Sequence, residues 1–252
     1  MSYVVAIPSY NRYHNITEKV LTALQDGNVS PKKVYIFVAN KAQEELYKQA
    51  VPQNMYHKII VGKLGITNQR NFISDYFPEG QYVVSLDDDI SSLQTIRGGK
   101  FVFIHDLDKF FKDAYKILKE QNLFIWGIYP TKSLMYMYNT ISFDLKFVAG
   151  FTHGYINRHL KELQMSPKSE GKEDIEQSIL FYQLDGGVVR FNNVTSNQTQ
   201  PRVGGLGKER HEMNAKAAEY MVKKYPDLVT IFHRKNGLTE LRLARRPRVQ
   251  PV

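Results

Sequence analysis

Tyr82-Val83-Val84-Ser85-Leu86-Asp87-Asp88-Asp89-Ile90 runs from apolar residues straight into three carboxylates. Its first five residues have the β-branched and aromatic character of a buried strand. Adjacent carboxylates repel one another, and strand stability asks for none of them. A hard divalent cation relieves the repulsion, because carboxylate oxygens suit Mg²⁺ or Mn²⁺. In open α/β sheets ligands bind beyond the carboxyl ends of strands, where this cluster falls. A cation there would join the cluster to a diphosphate and stabilise it as a leaving group. The competing account is an acidic turn on the surface.

On either side of this stretch, short apolar runs alternate with segments of helical period, which predicts an α/β fold. Strands are expected at Tyr3–Pro8, Lys33–Ala39, Lys58–Val61, Tyr82–Leu86 and Leu123–Tyr129, and helices at Ile16–Leu24, Gln43–Ala50 and Asn68–Tyr76. Near-continuous apolar strands imply a sheet covered on both faces. Leu107, Phe110, Phe111, Ala114, Ile117 and Leu118 recur at three- and four-residue steps, so Leu107–Gln121 reads as a helix with one core face. Beyond Asn139 the pattern is less regular. Ile141–Phe151 and Val188–Phe191 read as strands, Asp174–Leu184 and His211–Lys224 as helices, and Thr195–Gly207 as a polar, glycine-rich loop.

The 252 residues suffice for one sizeable domain. With no cysteine, a disulfide framework and a thiolate metal site are excluded. The first residues lack a basic start followed by an apolar stretch, and no apolar run approaches the ~20 residues of a membrane helix. A cytoplasmic protein is expected, without a membrane partner. The net charge of +9 favours polyanionic partners, nucleic acid among them, although a basic surface also serves solubility.

Strand-terminal Asp87-Asp88-Asp89 resembles the DxD motif of GT-A glycosyltransferases. The likeness extends to Ile7-Pro8-Ser9-Tyr10-Asn11-Arg12, which is similar to the P-x-Y/F-N-R start of many such enzymes, and to Gly62–Asn71, which is similar to their G-x-x-x-A-R-N segment with Gln69 in place of alanine. It also covers Glu173-Asp174, placed like the E-D pair of inverting members. The resemblance implies a GT-A, Rossmann-like mixed sheet flanked by helices over residues 1–252. In that reading residues 1–90 form a nucleotide-binding half, 91–240 an acceptor-binding half and 241–252 a basic tail.

The resemblance also implies roles. Asp89 would hold Mn²⁺ or Mg²⁺ with Asp87, and Asp87 or Asp88 would meet the donor's ribose. Pro8, Ser9, Tyr10, Asn11, Arg12, Gly65, Arg70 and Asn71 would line the nucleotide-sugar site, a UDP-sugar being favoured, with Thr67 capping the following helix. Asp174, or else Glu173, would be the general base that takes the acceptor hydroxyl's proton. Such enzymes often add a late histidine and a basic loop. His211 or His233 is the candidate ligand, and Lys208 and Arg210 after Gly204-Gly205-Leu206-Gly207 are the candidates to close over a diphosphate. Structural accounts compete for several of these: a helix cap at Ser9, a packed arginine at Arg70, and acidic residues favoured by the helix dipole at 173–174.

Ile7–Arg12, Gly65–Phe72, Phe77-Pro78-Glu79-Gly80 and Leu86–Ile90 together resemble the TET-associated glycosyltransferases, a phage and protist group. That likeness implies the hydroxymethyl group of a modified pyrimidine in DNA as acceptor, and the host cytoplasm as the site of action if the chain is of phage origin. Trp126, Tyr129, Tyr136 and Tyr138 would then meet a flipped base, with His153 near the acceptor. Lys132, Arg158, Lys161 and the arginines at 242, 245, 246 and 248 would meet phosphates. The alternatives are a protein, lipid or glycan acceptor on the same fold, and a nucleic-acid-binding module without enzymatic activity.

Overall fold

The protein is described from a computed structural model that covers residues 2–198, 207–234 and 237–249; the side chains of 198 and 207–210 are left undescribed. In chain order the strands are β1 (Tyr3–Pro8), β2 (Val34–Val38), β3 (Lys58–Val61), β4 (Tyr82–Leu86), β5 (Ile90–Arg97), β6 (Lys100–Phe103), β7 (Ile125–Ile128), β8 (Ile141–Ser142), β9 (Thr152–Ile156), β10 (Val189–Phe191), β11 (Val194–Gln198), β12 (Val229–His233) and β13 (Thr239–Leu243). The helices are α1 (Thr22–Asp26), α2 (Lys41–Ala50), α3 (Ile66–Tyr76), α4 (Leu107–Gln121), α5 (Glu173–Asp185) and α6 (Gly207–Lys224).

The main sheet has the order β3-β2-β1-β4-β9-β7-β10-β8. The first four strands are parallel. β9 runs antiparallel to both β4 and β7, β10 runs parallel to β7, and β8 closes the edge antiparallel. The sheet is therefore mixed, as expected. Successive βα units step outward from β1 to β3, and the chain then returns to pair β4 on the other side of β1. That reversal opens a crevice outside the carboxyl ends of β1 and β4, where Ser9 and Asp87 follow their strands.

Both faces are covered. Val5, Ile7, Val84 and Leu86 pack with α4 residues Phe111, Tyr115 and Leu118 in one core; Ala6, Phe37, Val83 and Tyr155 lie in a second with Ile73 of α3 and Phe181 of α5. α4 carries the predicted face inward, with Asp106 accepting from Lys109 N at its start and Asn122 left-handed at its end. A third cluster joins α5, α6, β12 and β13.

Several elements differ from the sequence expectation. The helix expected at Ile16–Leu24 is present, but its first part, Thr17–Leu21, is π-helix that passes without a break into α1. Of Ile141–Phe151 only Ile141–Ser142 is strand, and the longer strand begins at Thr152. The polar stretch from Val194 to Gln198 pairs with β5 as a strand instead of looping out; residues 199–206 lie outside the described set. The described part of the basic end, as far as residue 249, is not a free tail. Thr239–Leu243 pairs with β12, Leu145 N donates to Arg246 O at 3.1 Å, and Val249 N donates to Gly186 O at 2.8 Å.

Candidate active site

At the crevice, Ser9 Oγ donates to Asp88 Oδ2 at 2.5 Å and stands equally close to the Tyr47 hydroxyl. Asn11, left-handed at φ 56°, exchanges two hydrogen bonds with the Gln43 amide, fixing the turn after β1. Pro8, Ser9, Tyr10, Arg12, Gly65 and Asp87 lie along a cavity of about 420 Å³, with Asp88 at its wall. Asn11 is spent on Gln43, so it shapes this cavity from behind.

The three aspartates are poorly compensated. Burial pushes Asp88 up to about 7, with Asp87 and Asp89 adding repulsion against the help of Ser9 and Arg12. Burial raises Asp87 and Asp89 as well, opposed by Arg70 for the first and by Arg12 for the second. A cation suits this oxygen-rich, repelling set. Among the described residues no group of three or more His, Asp or Glu side chains could hold a metal by itself. The residues thus fit a cation shared with the oxygens of a bound diphosphate, the way Mg²⁺ is usually held.

Arg70 forms the wall behind the aspartates. Its Nη1 donates to Glu173 Oε1 at 2.7 Å and its Nη2 reaches Asp87 Oδ1 at 3.4 Å. Burial disfavours the guanidinium charge, but Glu173 and Asp87 outweigh it and raise the pKa. Gly150 makes room, since a Cβ there would stand 2.2 Å from Arg70 Nη1. Arg70 therefore backs the site and couples the aspartate loop to the start of α5. Asn71 does not face the nucleotide either: its amide holds both Met165 O and Met165 N. Thr67 is not the cap of α3; the Glu170 carboxylate accepts from Ile66 N and Thr67 N at 2.8 and 3.0 Å.

Next to Glu173, Asp174 accepts from Gly150 N at 3.2 Å and from its neighbour Ile175 N. Burial pushes its carboxyl up to about 6, and Glu173 adds repulsion. Asp174 borders a second cavity of about 750 Å³, which also meets Phe151, Lys172, Arg190, Glu240 and Arg245. A carboxylate raised toward neutrality thus borders this second cavity, while Glu173 is consumed by Arg70 and Gly171 N. A larger hollow of about 910 Å³, lined by Phe103, Phe110 and Phe143, lies away from these carboxylates.

Two residues expected near an acceptor belong to the interior. Trp126 is 0% exposed, wedged among Phe110, Phe111, Tyr115 and Phe191 in the core. His153 is buried with Nδ1 3.0 Å from Gly150 O, and burial pushes it down to about 3, so it stays neutral. Tyr129 is half-buried beneath Arg190, while Tyr136, Tyr138 and Lys132 are exposed. Arg158 is committed to Asp185 through two hydrogen bonds and stacks on Phe124. Arg246 and Arg248 bind Asp227 O and Gln121. His211 is exposed on α6 and His233 is exposed on β12; Lys208 and Arg210, with Gly204 to Leu206, lie outside the described side chains. Residues that the sequence reading passed over are Gln43, Tyr47, Lys63, Glu170 and Arg190. Only Arg190 carried a signal: a charge in the apolar run Val188-Val189-Arg190-Phe191.

No family model matches the chain, and no curated protein sequence matches it. Solved structures do resemble it. One is S. aureus TarS 1–349 in complex with UDP, at 15% identity and a TM-score of 0.54, covering 94% of this chain and 74% of that one. A longer TarS chain is covered to only 40%. The mannosyltransferase PcManGT from Pyrobaculum calidifontis, in complex with GDP-Man and Mn²⁺, is 13% identical with a TM-score of 0.55, covering 89% of this chain and 63% of that one. Glucosyl-3-phosphoglycerate synthase from Mycobacterium tuberculosis, in complex with Mn²⁺, UDP and phosphoglyceric acid, is 12% identical with a TM-score of 0.51, covering 98% and 89%. The fold is that of the GT-A glycosyltransferases. Among the described residues no helix is long and apolar enough to cross a membrane.

Proposed function

We propose that the chain is a metal-dependent, inverting glycosyltransferase that moves a sugar from a nucleotide-sugar, a UDP-sugar being favoured, to a hydroxyl acceptor. One observation carries this reading: Asp87 and Asp88 border one cavity and Asp174 borders the next, with the Arg70–Glu173 pair between them. The nucleotide diphosphate occupies the cavity between Ser9 and Gly65. Asp89 and Asp87 would hold Mn²⁺ or Mg²⁺ there, which would supply charge stabilisation for a leaving diphosphate. The acceptor enters from the second cavity. Asp174 takes its hydroxyl proton as the oxygen attacks the anomeric carbon from the face opposite the leaving group.

The acceptor we favour is the hydroxymethyl group of a modified pyrimidine in DNA. The net charge of +9 supports it, as do exposed Tyr136 and Tyr138 near Lys132, suited to stacking and phosphate contact. The site's action in a cytoplasm follows from that acceptor. The test is calorimetric titration of UDP-, GDP- and TDP-sugars with and without Mn²⁺, followed by mass spectrometry of hydroxymethylated DNA as acceptor. Metal-dependent binding of a nucleotide-sugar is expected. Its absence for all three would remove the enzyme reading, and transfer to a glycan or protein alone would remove the DNA one.

A further inference from the structure

Among the described residues, the buried Arg190 on the acceptor side is matched differently from Arg70 and Arg158. Arg70 faces Glu173 and Asp87, and Arg158 faces Asp185. Arg190, in the middle of β10, is 9% exposed. Its Nε donates to Asn192 Oδ1 at 2.9 Å, its guanidinium lies 5.0 Å from the Tyr129 ring centre, and the Tyr138 side chain is a further hydrogen-bond partner, all of them neutral groups. Among the described residues no carboxylate stands within salt-bridge distance of it. Asp144, the acid whose field reaches it, is held by Lys146 at 2.7 Å. Taking a guanidinium out of water without an anion is costly, and a fold keeps such a group where something compensates it.

Arg190 lines the same cavity as Asp174. The other cations there are paired or at the rim, Lys146 with Asp144 among them. Lys172 and Arg234 share Glu240, at 2.7 and 3.2 Å, and Arg245 is exposed at the edge. The cavity thus holds a surplus of positive charge, with the buried Arg190 in its wall. Guanidinium forks match phosphate oxygens in pairs, and an anion with several oxygens can also meet Arg245. Burial lowers the pKa of Arg190, as expected of a cation that lacks its anion.

We propose that Arg190 is an anion subsite for a phosphate group carried by the acceptor close to its reacting hydroxyl. This rests on the glycosyltransferase reading for the word acceptor, but the anion site itself does not. The phosphate can come from a nucleic-acid backbone beside a flipped base or from a small phosphorylated alcohol; about 750 Å³ accommodates either.

The experiment fills the donor site with UDP and Mn²⁺, then measures binding of three probes by calorimetry: 5-hydroxymethyl-2′-deoxycytidine 5′-monophosphate, the same nucleoside without phosphate, and glycerol 1-phosphate. At least one phosphate-bearing probe is expected to bind, the nucleotide at least about tenfold tighter than its nucleoside if the source is nucleic acid. Arg190→Gln should weaken phosphate-probe binding by about tenfold to a hundredfold with UDP affinity unchanged, and Arg190→Lys, which keeps the charge without the fork, should recover only part of it. Tighter binding of glycerol 1-phosphate than of the nucleotide assigns the small-molecule source. Should Arg190→Gln fail to fold, a tungstate soak of wild-type crystals decides, with an anomalous peak expected at the Arg190 guanidinium. The inference is overturned if neither phosphate probe binds, if Arg190→Gln binds them as wild type does, or if tungstate avoids Arg190. Failure of UDP to bind removes the donor reading instead, and the tungstate result still judges the anion site.

Discussion

From β1 to β4 each βα unit delivers its polar residues to the same sheet edge, whereas the acceptor side is assembled from returns of the chain. Ser9 and Asp87 need only follow their strands to meet at the crevice. Asp174, Gly150, Arg190 and Glu240 come from α5, the turn before β9, β10 and β13, and are brought together by packing and ion pairs. The first construction places residues by topology, so its geometry survives changes in any one contact. The second depends on particular pairs, among which Arg70 is the joint: it holds Glu173 from one side and Asp87 from the other. Changes at the proposed base beside this joint should cost most in turnover, changes at the joint itself most in stability, and changes at the periphery least.

The largest effect is expected at Asp174. With Asp174→Asn, transfer should fall by about 10²- to 10⁴-fold while nucleotide binding holds, because the amide cannot accept the hydroxyl proton. The pH profile gives a second reading. A base with its carboxyl raised to about 6 is protonated below that pH, so kcat should drop as pH falls through about 6. Stability runs the other way. A carboxyl raised above its unfolded value contributes stability that is present below the unfolded pKa and lost as pH rises through the folded one. Asp174→Asn should therefore melt higher than wild type at pH 7.5 while turning over far more slowly. Equal rates for the two proteins would move the base elsewhere, Glu173 first.

Next comes the joint itself. Arg70→Ala leaves the buried Glu173 and the partly exposed Asp87 without their cation, a loss of about 3–5 kcal/mol carried mainly by Glu173. Denaturant titration should show it as a lower midpoint with an unchanged slope. Gly150→Ala should destabilise by the same route, since its Cβ would overlap the guanidinium. An Arg70→Ala protein as stable as wild type would mean that the two halves do not depend on each other at this pair.

The sequence made the donor side legible for a physical reason. Apolar strands of period-free hydrophobicity announce themselves, and a carboxylate cluster at a strand end has few structural uses, so β1, β3 and β4 match their expected bounds. The acceptor side has no such pattern. β9 hides because Thr152-His153-Gly154-Tyr155-Ile156 mixes polar and small residues whose burial comes from neighbours on both sides. Trp126 looked like a stacking platform for the same reason. An aromatic in an apolar run is compatible with core and with cleft, and only the packing of α4 over it decides. The β5–β6 hairpin was readable and missed: Arg97-Gly98-Gly99-Lys100 offers two adjacent glycines, and both take positive φ between the paired Arg97 and Lys100. Ile90–Arg97 itself carries no strand period, since its apolar residues Ile90, Leu93 and Ile96 fall at three-residue steps instead of alternating.

A smaller effect tests the core assignment of Trp126. Gly154 lies against the indole, where a Cβ would come 2.5 Å from Nε1. Gly154→Ala should cost about 1–3 kcal/mol by overpacking, measured by thermal unfolding, with nucleotide affinity unchanged at temperatures where the protein stays folded. A variant that keeps its stability and loses acceptor binding would return Trp126 to the cleft.

The smallest effect separates two uses of the basic end. Arg248 Nη1 donates to Gln121 Oε1 at 2.6 Å, and Nη2 to Gln121 O, which ties the last described residues to the end of α4. A role in holding the chain end predicts that Arg248→Ala loses about 1 kcal/mol, a fall in Tm of roughly 2–4 °C for a protein of this size. It also predicts an unchanged dependence of DNA binding on salt. A phosphate contact predicts the reverse, with stability untouched and the slope of log K against log salt reduced by about one. Because the guanidinium is engaged within the protein on both of its terminal nitrogens, the first outcome is expected, and the second would show that the end detaches to grip nucleic acid.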